Sequence, residues 1–172
     1  MYNEIDMLTF RKIKIDDEIS LVPYKPNYKV TLPWYQDLQL VKQVSNSKEP
    51  FSLKRVKAMY SALKHEGWLY YIRYQNLLVG DVTLFKDGHI SITICNEYQN
   101  KHIGRRVIQG IIKLAQKKDM KILYAEIYPF NTQSKKMFTS LGFSKILKDE
   151  YIYQVPDVPK KRKSRGEKNE NS

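Results

Sequence analysis

The spacing of apolar positions changes repeatedly along the chain, and each change marks an element. Residues 7–13 (Met-Leu-Thr-Phe-Arg-Lys-Ile) read as a first strand. Residues 35–45 and 52–65 read as helices; Ser52 is placed to cap the second, and Leu53, Val56, Met59, Tyr60 and Leu63 keep helical spacing up to the stop at Gly67. Apolar and β-branched runs at Trp68–Tyr74 and Leu77–Phe85, joined by Gln75-Asn76, form a hairpin. Asp87-Gly88 then turns the chain into a third antiparallel strand, His89–Cys95. Helical spacing returns from Gly104 to Lys117, with Val107, Ile108, Ile111, Ile112, Leu114 and Ala115 on one broad face. A strand at 121–127, a short helix at Thr132–Ser140 stopped by Gly142, and strands at Phe143–Leu147 and Tyr151–Val155 complete the order. The sum is an α/β (α+β mixed) architecture: one central mixed, mostly antiparallel sheet flanked by helices.

Length and composition narrow this further. At 172 residues and 42% hydrophobic content the chain fits one domain, set at 1–156, followed by a basic, solvated and disordered tail at 157–172. No apolar run approaches the ~20 residues of a membrane span, and the first residues lack a signal pattern. Cys95 is the single cysteine, which fits a cytoplasmic setting, and the Lys/Asn/Ile/Tyr bias resembles low-GC bacteria. With three scattered histidines there is no metal-ligand spacing, so no metal is expected. The formal charge is +12, of which the tail carries +3, leaving the body itself basic. Such a surface favours acidic partners, including phosphate-bearing ligands, RNA or a ribosomal neighbourhood. The run Pro159-Lys160-Lys161-Arg162-Lys163 is similar to a nuclear localisation signal, and a tail with nonspecific affinity for RNA is the better reading.

The chemistry concentrates between strand His89–Cys95 and the helix that follows. There the chain reads Gln99-Asn100-Lys101-His102-Ile103-Gly104-Arg105-Arg106. A strand that turns into a helix through a polar loop aims unpaired backbone N–H groups at one point, a natural site for a diphosphate. Some thirty residues on comes Asn131-x-x-Ser134-x-x-Met137-Phe138-x-x-x-Gly142-Phe143. Together the two motifs resemble the acetyl-CoA site of the GNAT superfamily of N-acetyltransferases, whose loop pattern Gln/Arg-x-x-Gly-x-Gly/Ala reads here as Gln99-x-x-His102-x-Gly104. The resemblance spans roughly residues 5–155 and is strongest over 89–143.

That resemblance implies acetyl-CoA as acyl donor. The diphosphate falls to the backbone from Gln99 through Ile103 and Gly104 to Arg106, with Lys101, Arg105 and Arg106 adding charge. His102 stands where the pattern has its first glycine, a replacement that suits a negative φ. The pantetheine arm pairs with the strand before the loop, at Ile92 and Ile94, and an N–H there can meet the thioester oxygen. Asn131 and Ser134 contact the same arm; an N-cap role for Asn131 and a solvent-facing serine are the plainer readings. Phe138 occupies the position of the family's tyrosine acid and has no proton to give, which leaves three readings: a water or another tyrosine substitutes, catalysis is slower, or the fold only binds.

Strand alternation places Tyr124, Glu126 and Tyr128 on one face. Glu126 matches the glutamate of members that acetylate N-terminal amines, so it is the candidate base beside a purely cross-strand role; Tyr128 is the second candidate as base, acid or acceptor contact. Cys95 reads as packing. The segment Leu32-Pro33-Trp34-Tyr35-Gln36-Asp37 lies on the acceptor side, lining a cleft or filling the core. The expected reaction is direct attack of a primary amine on acetyl-CoA in a ternary complex. A protein N-terminus or lysine is slightly favoured over a small-molecule amine. The rival is a non-catalytic acyl-CoA-binding or RNA- or ribosome-associated module on the same fold.

Overall fold

The structure is a computed structural model, and it describes residues 11–158. Ile13–Lys14 (β1) and Ile19–Pro23 (β2) form a first hairpin. Its turn is held by Asp16, whose Oδ1 accepts from the N–H groups of Glu18 (2.9 Å) and Ile19 (2.8 Å). The strand expected at 7–13 falls mostly outside the described residues, and β2 was not anticipated.

Three helices follow: Tyr28–Gln36 (α1), Leu38–Ser45 (α2) and Leu53–Glu66 (α3). The single helix expected at 35–45 is thus two. Asp37 breaks the run by capping α2, accepting from the N–H groups of Gln39 and Leu40. Pro33 lies inside α1, where a proline removes a backbone bond and disguises a helix in the sequence. Ser52 caps α3 through the Arg55 N–H as expected.

Gly67–Tyr74 (β3), Leu77–Phe85 (β4) and Ile90–Ile94 (β5) extend the hairpin into a five-stranded antiparallel sheet in the order β1-β2-β3-β4-β5. Gln75 and Asn76 both take positive φ (45° and 68°), the tight turn that matches strand twist. A short turn at Asn96–Tyr98 leads to Ile103–Lys117 (α4). Ile122–Glu126 (β6), Thr132–Ser140 (α5), Ser144–Lys145 (β7) and Glu150–Gln154 (β8) then build a second, three-stranded antiparallel sheet, β6-β8-β7.

The two sheets meet at β5 and β6, which run parallel and share a single bridge, His89 to Tyr124. Beyond it no ladder joins them and the strands diverge. Thr93 pairs with Asp81 and Ile94 with Gly80, so successive residues of β5 face opposite sides. Tyr35 from α1 and Tyr60 from α3 reach Asp81 on one side. Gly104 of α4 lies against Ile94 on the other. Trp34 and Tyr35, expected at a cleft or in the core, are both core residues.

Asp81 is a carboxyl inside this core, 1% exposed. Burial pushes it up to about 6 from an ordinary 3.8, against the lowering effect of the Tyr35, Tyr60 and Thr93 hydroxyls. A raised folded-state value stabilises the fold at pH below the unfolded value and loses that contribution as pH rises through the folded one. The unfolding free energy of the wild type, measured relative to Asp81→Asn, should therefore fall by about 3 kcal/mol between about pH 4 and pH 7, then level off. Denaturant titrations at stepped pH read this directly. A pH-independent difference between the two proteins would place Asp81 at an ordinary carboxylate value.

Among the described residues no helix is long and apolar enough to cross a membrane, and no His/Cys/Asp/Glu group could hold a metal ion.

Candidate active site

A cleft of about 970 Å³ opens in the splay between β5 and β6. Backbone geometry shows why it can receive an extended ligand. Phe85 N–H donates to His89 carbonyl and Cys95 N–H to Val79 carbonyl, so the odd-numbered residues of β5 turn their peptide groups to β4. The peptide groups of Ile92 and Ile94 therefore point into the splay. On the far wall Ile127 N–H donates to Asp149 and Val155 N–H to Lys121, which turns the odd-numbered residues of β6 to β8 and leaves Glu126 N–H facing the splay. The two walls thus offer unpaired main-chain groups of the kind an added strand would use.

The mouth of the splay is the loop 99–102 and the start of α4. Gln99 donates through Nε2 to Ile94 carbonyl (2.8 Å) and to Gln43 Oε1 of α2 (3.0 Å), fixing where the loop leaves β5. His102 is the N-cap residue of α4, and its side chain makes no capping bond. The first N–H groups of α4 accordingly lack intrahelical acceptors and carry the positive end of the helix dipole.

His102 has φ +59°, so the expected negative value is not found. The loop keeps the left-handed conformation that a glycine would adopt freely, at a cost to histidine of about 1–2 kcal/mol. Gly104 is closely enclosed: a Cβ there would lie 3.0 Å from Met137 Sδ and 3.3 Å from Ile94 Cδ1, side-chain ends that would have to give way by a few tenths of an ångström.

Of the residues expected to hold the donor, Ile92, Ile94, Gln99, His102, Ile103, Gly104, Arg105, Asn131, Ser134 and Phe138 all line this cleft. Arg105 also donates to Ser140 Oγ of α5. Arg106 is a correction. Its guanidinium binds Asp16 (3.0 Å) and Glu18 (2.8 Å) of the first hairpin, outside the cleft. Adjacent residues on an α-helix point about 100° apart, and here Arg105 lines the cleft while Arg106 turns to the hairpin carboxylates. Lys101 likewise does not line the cleft; it is exposed, with its ammonium 6.0 Å from the Tyr98 ring centre. Asn131 caps α5, its Oδ1 accepting from Ser134 N–H at 3.2 Å, which leaves its NH₂ as the group free for a ligand. Phe138 is 3% exposed and packs edge-on against Phe143 at 5.0 Å, a core residue that presents one side to the cleft.

The wall that faces α1–α3 is polar. Tyr124 and Glu126 alternate with Leu123 and Ala125 along β6, Tyr128 lies two residues beyond the strand's end, and Glu126 and Tyr128 line the cleft. Glu126 is exposed, and Tyr128 stacks on Phe130 at 5.5 Å. Sequence reasoning missed three further residues here: Glu66 at the end of α3, Asp87 and His89. His89 stacks on Tyr124 at 5.0 Å, and its Nδ1 lies 3.1 Å from Asp87 Oδ1. Asp87 is held below the usual carboxylate range, first by the His89 N–H. Cys95 is buried and its thiol is pushed up to about 11 by that burial, which removes it as a nucleophile near neutral pH.

Comparison with known proteins matches this arrangement. A crystal structure of a domain from Methanocaldococcus jannaschii is 27% identical, with a TM-score of 0.70 over 81% of this chain and 99% of that one. The microcin C7 self immunity acetyltransferase in complex with acetyl-CoA and AMP shares the fold at 16% identity, TM-score 0.66, over 86% of this chain and 99% of its own. The spermidine N-acetyltransferase of Vibrio cholerae, in complex with CoA and spermine, does so at 12% identity, TM-score 0.70, over 81% and 97%. No curated protein sequence matches. The family model described as acetyltransferase (GNAT) matches residues 32–143, and the chain belongs to that family.

Proposed function

We propose that this protein transfers the acetyl group of acetyl-CoA to a primary amine by direct attack in a ternary complex. The observation that carries the reading is the splay itself: the Ile92 peptide group and the Ile94 N–H face it and lead to an uncapped helix N-terminus at Ile103–Arg105, with the Ile94 carbonyl held by Gln99. The residues fit the donor. Helix N-terminal amides and Arg105 suit a diphosphate, the β5 edge suits the pantetheine amides, and the Asn131 NH₂ and Ser134 hydroxyl can meet the same arm. Lys101 is near enough in sequence to add charge from outside the cleft.

Glu126 is the proposed base for the incoming ammonium, with Tyr128 as an acceptor contact beside it. Phe138 provides no acid. A thiol whose pKa is near ~8.5 departs tolerably as thiolate at neutral pH, so the chemistry proceeds without one. A protein amine, N-terminal or lysine, is the favoured acceptor, supported by the carboxylates Glu66, Asp87 and Glu126 on the acceptor wall. Related folds include a ribosomal L7/L12 α-N-protein acetyltransferase, at 13% identity with TM-score 0.64. The basic body supports a weak, salt-sensitive association with RNA or ribosomes.

Calorimetric titration with acetyl-CoA is the test, followed by release of free thiol in the presence of three amine probes: an alanine-initiated peptide, a lysine peptide and spermidine. Binding in the micromolar range with amine-dependent thiol release is expected. No binding at millimolar acetyl-CoA would sink the reading. Binding without turnover on any probe would favour the non-catalytic module.

A further inference from the structure

The site as described leaves one buried acid unused. Asp81 Oδ2 accepts from the Tyr35 hydroxyl at 2.7 Å and from the Tyr60 hydroxyl at 2.8 Å. The same Tyr35 oxygen lies 3.2 Å from Thr93 Oγ1. Thr93 sits on β5 between Ile92 and Ile94, is 4% exposed, and lines the cleft. An unbroken line of hydroxyls therefore runs from the cleft through Thr93 and Tyr35 to a carboxyl.

Packing alone does not call for an acid at this place. Two tyrosine hydroxyls need only a neutral acceptor, and a carboxylate in a dry interior without a cation is costly. The groups that face Asp81 are Tyr35 from α1, Tyr60 from α3, Tyr71 from β3, Tyr24 from the segment after β2, and Thr93 from β5. No lysine, arginine or histidine pairs with it among the described residues. Its raised value, about 6, is that of a base able to take and return a proton near neutral pH.

Amide formation from an ammonium removes two protons, one before attack and one after. The first belongs to Glu126 at the exposed end of the cleft. The second leaves a nitrogen already bonded to the acyl carbon, deep between the strands. Phe138 has no hydroxyl through which that proton could be exchanged with the departing sulfur.

We propose that Thr93, Tyr35 and Asp81 form a proton relay that takes this second proton out of the cleft. The proposal rests on the acetyl-transfer reading above. In the step, the amine lone pair forms the C–N bond, and the C–S bond breaks with its electron pair on sulfur, giving the thiolate. The nitrogen proton passes to Thr93 Oγ1, the Thr93 proton to the Tyr35 oxygen, and the Tyr35 proton to Asp81 Oδ2. The carboxylate ends neutral, and after product leaves it returns the proton to water along the same path.

The test compares full-length wild type, Thr93→Val, Thr93→Ser and Asp81→Asn. It uses acetyl-CoA with whichever of the three amine probes the wild type acetylates. Wild-type kcat/KM is expected to rise with pH through about 6, because the relay needs the carboxylate, and then to level off. Thr93→Val should lower kcat about 10²-fold at unchanged acetyl-CoA affinity and abolish that rise. Carbon-13 titration of the aspartates in Thr93→Val should still show one carboxyl titrating near the same pH, which certifies that the fold and the acid are intact. Thr93→Ser should restore rate and profile, and Asp81→Asn should lose the rise. Retention of both kcat and the acidic limb in Thr93→Val overturns the relay while leaving acetyl transfer standing. Absence of thiol release by the wild type with every probe overturns the acetyl-transfer reading itself.

Discussion

Alanine at position 80 is expected to lower the melting temperature by about 10 °C, equivalent to about 2.5–5 kcal/mol in a chain of this size. Gly80 lies in β4 opposite Ile94. A Cβ on it would stand 2.0 Å from Thr93 carbonyl oxygen and 3.0 Å from its carbon. Those are main-chain atoms of a paired strand, so no side chain can rotate to make room, and β4 and β5 must part. The strain falls where β4 is already irregular: its register with β3 slips between Ile72 and Arg73, leaving Val79 as the extra residue of a bulge. Thermal unfolding followed by circular dichroism reads the effect. A loss below about 2 °C would mean that β5 shifts freely at Thr93–Ile94, and a freely shifting edge could not hold a ligand in register.

Glu126→Gln is expected to lower kcat/KM for the acceptor about 10²-fold while acetyl-CoA affinity stays unchanged. The amide keeps the size of the side chain and loses only its ability to take a proton. Glu126 also pairs across the ladder with Glu150, so the change removes a like-charge contact and does not threaten the fold. The pH dependence carries more information than the rate alone. An N-terminal amine has a pKa near ~8, so raising the pH to about 9 supplies the free base from solution and narrows the deficit; a lysine near ~10.4 gains far less. The variant thus reports on the acceptor class as well as on the residue. Turnover equal to wild type at every pH would remove Glu126 from the chemistry.

Legibility in the sequence followed the range over which each feature is determined. The strands β3 and β4 showed through as continuous apolar runs bounded by turn residues and buried through their middle, and the helix α4 because its period-3.6 pattern buries one side. The donor loop was readable for the same reason, as a strand, a polar turn and a helix in direct succession. Helix α1 was hidden by Pro33, and the break at Asp37 by a cap that looks like any surface acid. Arg106 was assigned to the phosphates on adjacency, which counts residues and ignores the rotation between them. The Asp81 cluster joins residues 46 and 21 positions apart, so only the fold brings Tyr35 and Tyr60 to it. A hint was nonetheless present: an acid on an inward position of a strand otherwise composed of Leu, Val, Gly, Thr and Phe.

The single bridge at His89–Tyr124 has a mechanical meaning. One bridge joins the two sheets through the main chain, and past that point side-chain packing alone sets the angle between β5 and β6. An extended molecule laced along Ile92 and Ile94 would supply the missing rungs and make the sheets one. A donor bound there would then be a temporary girder as well as a reagent, and would leave the protein stiffest in the state in which it has chemistry to perform.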